Sequence, residues 1–92
     1  MIIIEKAILF INKHNLVNRT YDMLVYFNIL KYNRSYKSIK KFFKTKLLDI
    51  RFVETLAKFL DVKLRNSKNN YDLVCNLNEL INDLNYLKQY LD

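Results

Sequence analysis

Glycine and proline are both absent from this chain. Without glycine there is no P-loop and no dinucleotide-binding turn, since both need backbone that a Cβ would obstruct. Without proline, helix ends must be set by Asn, Asp, Ser and Thr and by gaps in apolar spacing. Turn dipeptides such as Asn-Gly are missing too, and no segment alternates apolar and polar residues for long, which argues against strands. Cys75 is the single cysteine, excluding an intramolecular disulfide and a cysteine zinc site and suiting a reducing compartment. His14 is the single histidine, so no HExxH metal helix can form. Charged residues break every apolar run short of the ~20 residues that span a bilayer. The start of the chain, Ile2, Ile3 and Ile4 followed by Glu5 and Lys6, lacks the pattern of a secretory signal. An intracellular protein without signal peptide, transmembrane segment, metal or cofactor is expected.

What is present points to a folded domain. Apolar and aromatic residues make up 51% of the 92 residues, too many for a disordered chain. The length suits one domain, residues 1–92, whose core comes from side-chain packing. Abundant Asn, Lys, Ile, Tyr and Phe with only Ala7 and Ala57 as alanines is what an AT-rich coding sequence, viral or organellar for instance, would produce.

Apolar spacing predicts five helical segments. The first runs from Ile2 to Lys13 with Ile4, Ala7, Ile8 and Ile11 on one face. Asn18 or Thr20 opens a second, to about Tyr32, carrying Met23, Leu24, Phe27, Ile29 and Leu30 and closed by Asn33. Ser35 is the N-cap of a third, Tyr36 to Leu47, and Asp49 of a fourth with Phe52, Val53, Leu56, Phe59 and Leu60. The stretch from Asp61 to Asn70 is polar and reads as a loop. Asn70 caps the last helix, where Leu73, Leu77, Leu80, Leu84, Leu87 and Leu91 alternate spacings of four and three. Val74 and Ile81 widen that stripe, favouring a bundle core over a two-stranded seam. The expected fold is all-α: a compact bundle in which two helical hairpins are joined by a basic helix. An offset of fifty residues also pairs Ala7 with Ala57, Lys13 with Lys63, Tyr21 and Asp22 with Tyr71 and Asp72, Asn28 with Asn78, and Leu30 with Leu80, which raises an internal duplication.

Charge is the one feature with a functional direction. Lys31, Arg34, Lys37, Lys40, Lys41, Lys44 and Lys46 occupy a window without a single acidic residue, while the rest of the chain balances nine basic against nine acidic residues. The net charge of +7 thus comes from one segment, and a localised patch calls for an anionic partner. On the third helix Ile39, Phe42, Phe43 and Leu47 form an inward face, with Lys37, Lys40, Lys41 and Lys44 opposite. Tyr32 and Tyr36 flank the patch and are placed to stack on bases.

Enzymatic groupings are few. A Cys75–His14 pair would need Cys75 free of the leucine stripe, and its position beside Leu73, Val74 and Leu77 reads as a partly buried structural thiol. Asp22 with Asp72, or Glu79 with Asp83, form carboxylate pairs of a kind common on solvated helix faces. A smaller basic group, Lys63, Arg65 and Lys68 beside Asn66 and Ser67, precedes the last helix, where amides and the helix dipole favour a phosphate. From Leu56 to Leu77 the chain resembles the SAP or helix-extended-loop-helix modules of DNA-binding proteins over a quarter of its length. The likeness lies in Leu56, Phe59 and Leu60, a polar loop, then Leu73, Val74 and Leu77. The turn glycine of that pattern is Asp61 here and its lysine before the second helix is Asn70, so only Arg65, Ser67 and Lys68 carry over as DNA contacts that the resemblance implies.

The sequence therefore predicts a non-enzymatic binding module. The leading reading is non-specific binding of DNA or RNA backbone by the seven cationic residues, with Arg65 and Lys68. The alternative is an interaction module or subunit of a larger assembly. It would meet an acidic protein surface or a second copy of itself through a leucine face of Leu77, Leu84, Leu87 and Leu91. A membrane surface is disfavoured, since the apolar face of the basic helix is needed by the bundle.

Overall fold

A computed structural model describes residues 2–27 and 35–91. They form five helices in the order α1 (Ile2–Lys13), α2 (Leu16–Tyr26), α3 (Tyr36–Lys46), α4 (Ile50–Asn66) and α5 (Tyr71–Leu91), and among the described residues there is no strand. The all-α bundle expected from apolar spacing is what forms. No helix among the described residues is long and apolar enough to cross a membrane.

Local side-chain chemistry sets three of the boundaries. The Ser35 hydroxyl accepts from the Ser38 amide at 3.3 Å, the Asp49 carboxylate from the Arg51 amide at 2.9 Å, and the Asn70 side-chain oxygen from the Leu73 amide at 3.2 Å. Each satisfies an amide that has no partner within its helix. The α1–α2 connection works differently. Asn15 adopts the left-handed conformation, φ 52° and ψ 36°, and its carbonyl accepts the first bond of α2, from the Arg19 amide at 3.0 Å. Asn tolerates this region best among residues with a Cβ, so in a chain without glycine it turns the backbone between two helices.

Two boundaries differ from the sequence reading. Helix α2 begins at Leu16, ahead of Asn18 and Thr20, because Leu16 and Val17 are buried and draw the first turn into the core. Residues Asp61 to Asn66 are helical and leave a loop of only 67–70. The apolar spacing continues through Leu60 to the half-buried Leu64, and Arg65 bonds Asp61 one turn back at 2.7 Å, a pair that supports helix. The end of the second helix as predicted, with Ile29, Leu30, Tyr32 and Asn33, lies outside the described residues. The fifty-residue offset also fails as a structural repeat, since the turn at residues 14–15 maps onto 64–65 inside α4 and the turn at 67–70 onto 17–20 inside α2.

Helix α5 is the axis of the bundle. Leu77, Leu80, Leu84 and Leu87 are 0–1% exposed, with α1, α2 and α4 packed around them. Helices α4 and α5 are joined by the short connection 67–70, which makes them antiparallel neighbours, and they pack closely along their length. Helix α3 packs on α2 and reaches α4 through Phe43 and Phe52, ring centres 6.4 Å apart. Arg19 ties α2 to α5 by bonding Asp83 and lying 3.6 Å from Glu79. Ile4, expected on the core face of α1, is 51% exposed, because α1 turns Ala7, Phe10 and Ile11 onto α5 and leaves its first turn outside.

Thr20 is wholly buried, and its hydroxyl has no hydrogen-bond partner among the described residues. Desolvating a hydroxyl without a bond costs about 1–3 kcal/mol. Thr20→Val keeps the shape and removes that penalty, so it should stabilise the domain by about 1 kcal/mol, read as a higher urea midpoint at unchanged m-value. Asn15→Ala should destabilise by about 1 kcal/mol in the same titration while Asn15→Gly does not; equal losses from both would remove the backbone explanation of the turn.

Candidate functional site

The basic helix is held by its apolar side. Ile39, Phe43 and Leu47 are 6%, 2% and 0% exposed, and at 3.6 residues per turn they occupy an arc of about 80°. Lys37, Lys40, Lys41 and Lys44 fall within a neighbouring arc of about 100°, spread over about 10 Å of helix axis, and all four are exposed. No acidic residue lies on α3. The salt bridges among the described residues involve Arg19 and Arg65, so none of the α3 lysines is neutralised by a carboxylate there.

Two members of the predicted face move. Phe42, expected inward, is 46% exposed, because it lies about 60° beyond the Ile39 edge of the Ile39–Phe43–Leu47 arc. Lys46 belongs to its side of the helix, with its Nζ 5.7 Å from the centre of the Phe42 ring. The four-lysine stripe is thus the coherent part of the patch. Lys31, Arg34 and Tyr32 lie outside the described residues, as does the side chain of Tyr36.

The second basic group does not assemble. Lys63 lies over the rings of Phe27 and Phe59, 5.4 and 5.5 Å from their centres, and Arg65 is paired with Asp61. The Ser67 hydroxyl donates to the Lys63 carbonyl at 2.7 Å. The first free amides of α5 face the Asn70 cap and Asp72, whose negative charge opposes an anion. Of this group only Lys68 remains exposed without a bond among the described residues, and the first part of the extended loop on which the SAP-like resemblance rests, residues 61–66, is helix.

The leucine face is also internal. Leu77, Leu84 and Leu87 are 0% exposed and Leu91 packs against the same core. The buried leucines of the stripe are taken up within the chain by α1, α2 and α4. Cys75 is exposed where partial burial was expected, since it points away from Leu77 and Leu80; hydrogen bonding to it pushes the Tyr71 phenol above its ordinary range. His14 lies against the far half of α5 near Tyr86, about 16 Å along the helix from Cys75, so the two do not pair. Glu79 and Asp83 both face Arg19, while Asp22 and Asp72 line one shallow cleft between α2 and α5. Among the described residues no three of His, Cys, Asp and Glu gather to hold a metal ion.

A feature that sequence spacing does not reveal is a groove of about 730 Å³ between α1 and α5. The Phe10 ring packs against His14, Tyr86 and Tyr90 with centres 4.3, 4.9 and 5.8 Å apart. These residues come from α1, the turn that follows it and α5, separated by more than half the chain, and no single-helix period links them.

Lysines at four-residue spacing, Lys37 with Lys41 and Lys40 with Lys44, repel by roughly 0.2–0.5 kcal/mol per pair. Exposed charges are screened by salt, so the melting temperature in sodium chloride should rise by a few degrees between about 10 mM and 0.5 M. A fall would mean that the Arg19 and Arg65 pairs outweigh the stripe. No protein-family model, no curated protein and no solved structure matches the chain.

Proposed function

We propose that this domain binds nucleic acid without sequence preference, holding backbone phosphates of DNA or RNA on the α3 stripe of Lys37, Lys40, Lys41 and Lys44. The observation that supports the reading is the division of α3: its apolar arc is buried in the bundle, while four lysines without carboxylate partners among the described residues share one outward arc. A phosphate backbone relieves their mutual repulsion and releases its own condensed counterions. Lysine–phosphate contacts position a protein on the strand and do not read bases. The role requires no catalytic group.

Four neutralised phosphates imply a slope of log affinity against log salt of about −3.6 on duplex DNA, roughly a 100-fold loss between about 50 and 200 mM. Fluorescence anisotropy of labelled single- and double-stranded DNA and RNA measures it. Lys40→Glu with Lys41→Glu should weaken binding at least tenfold and flatten the slope by about 2, leaving the circular dichroism spectrum unchanged. Undiminished affinity of the double variant would refute the assignment to α3. Absence of binding at the low-salt end would refute the nucleic-acid reading and direct attention to an acidic protein surface as the partner of the same lysines.

A further inference from the structure

The α1–α5 groove has the chemistry of a ligand site that owes nothing to α3. Its floor is aromatic: Phe10 is 9% exposed and sits among His14, Tyr86 and Tyr90 at the ring distances given above. Its rim is cationic. Lys6 and Lys13 line it from α1, seven residues and so about 10 Å apart on one side of the helix, both exposed and without an ion pair among the described residues. Asp83 also lines the groove, but its carboxylate is bonded by Arg19 from α2, which leaves the two lysines as the uncompensated charge.

Directional groups complete the set. The Tyr90 and Tyr86 hydroxyls lie 3.3 Å apart and share a hydrogen bond, an interaction that pushes the Tyr90 phenol above its ordinary range. A pair of hydroxyls uses one hydrogen between them, so the other is left for a molecule in the groove, and Tyr86 is 48% exposed. Asn82 lines the same wall with an amide that both donates and accepts. The volume lies within the usual range of small-molecule sites.

A ligand that satisfies all of these has a flat π-face, a hydrogen-bonding edge and a negative group a few ångströms away. We infer that the α1–α5 groove binds a nucleotide unit, its base against Tyr86, Tyr90 and His14 and its phosphate between Lys6 and Lys13. That unit is either a free mononucleotide or one nucleotide of a single strand. The proposal goes beyond the α3 reading, because none of its residues lies on that helix.

The test compares a labelled oligothymidylate of about 12 nucleotides with an abasic strand of the same phosphate number, alongside adenosine monophosphate followed by the His14 ring resonances in NMR. Backbone contacts on α3 are indifferent to the bases, whereas stacking in the groove is not. The base-bearing strand should bind about tenfold tighter than the abasic one. Tyr86→Ala should abolish that difference without changing the abasic affinity, and the exposed-site variant Lys13→Glu should reduce it as well. Tighter binding of the base-bearing strand, lost in Tyr86→Ala and reduced in Lys13→Glu, assigns the groove to a strand. A His14 response to the mononucleotide without strand discrimination assigns it to the free ligand. Equal affinity for both strands with no His14 response overturns the groove and leaves the α3 reading standing. If neither strand binds while His14 responds, the α3 reading fails and the groove stands; if nothing binds, both fail.

Discussion

Every described helix either packs on the leucines of α5 or packs on a helix that does. Leu77, Leu80, Leu84 and Leu87 have essentially no exposed surface, and burying a leucine contributes about 1.5–3 kcal/mol relative to leaving it in water. Helices of eleven or twelve residues such as α1, α2 and α3 are marginal in isolation. They persist because α5 gives two of them an apolar wall and α2 gives the third. With no disulfide available, that wall is what the domain has in place of a covalent staple.

The same economy explains why the surface carries so much uncompensated charge. Helix α3 commits three side chains to the bundle, leaving the other arcs unconstrained by packing. A helix that merely needed solubility would intersperse both signs. This one carries lysine alone, at some cost to its own stability.

Where structure is decided by neighbours in sequence, the residues announce it. Ser35, Asp49 and Asn70 were legible as caps because the hydrogen bond each makes lies within three positions, and the leucine alternation of α5 was legible as a core stripe. The polar composition of residues 61–66 concealed helix, although Leu64 four places after Leu60 continued the apolar period. Ile39, Phe43 and Leu47 could be read as buried; Phe42 could not be separated from them, because adjacent aromatics give the same apolar signal on either side of a face boundary. The pairing of Lys63 with Phe27 and of Arg19 with Asp83 depends on tertiary contacts that no local pattern encodes. For the same reason the groove residues His14, Tyr86 and Tyr90 passed as unrelated.

The connection between α1 and α2 has no slack. Only His14 and Asn15 separate the two helices, and the backbone of Asn15 reverses hand between them. Adding one residue there would rotate α1 by about 100° about its axis, carrying Ala7 and Ile11 off α5 and dismantling one wall of the groove. Among diverging copies of this gene, in-frame insertions and deletions at that junction would therefore be purged more strictly than most changes of side chain, so the length of a two-residue turn would outlast the identity of the surface it supports.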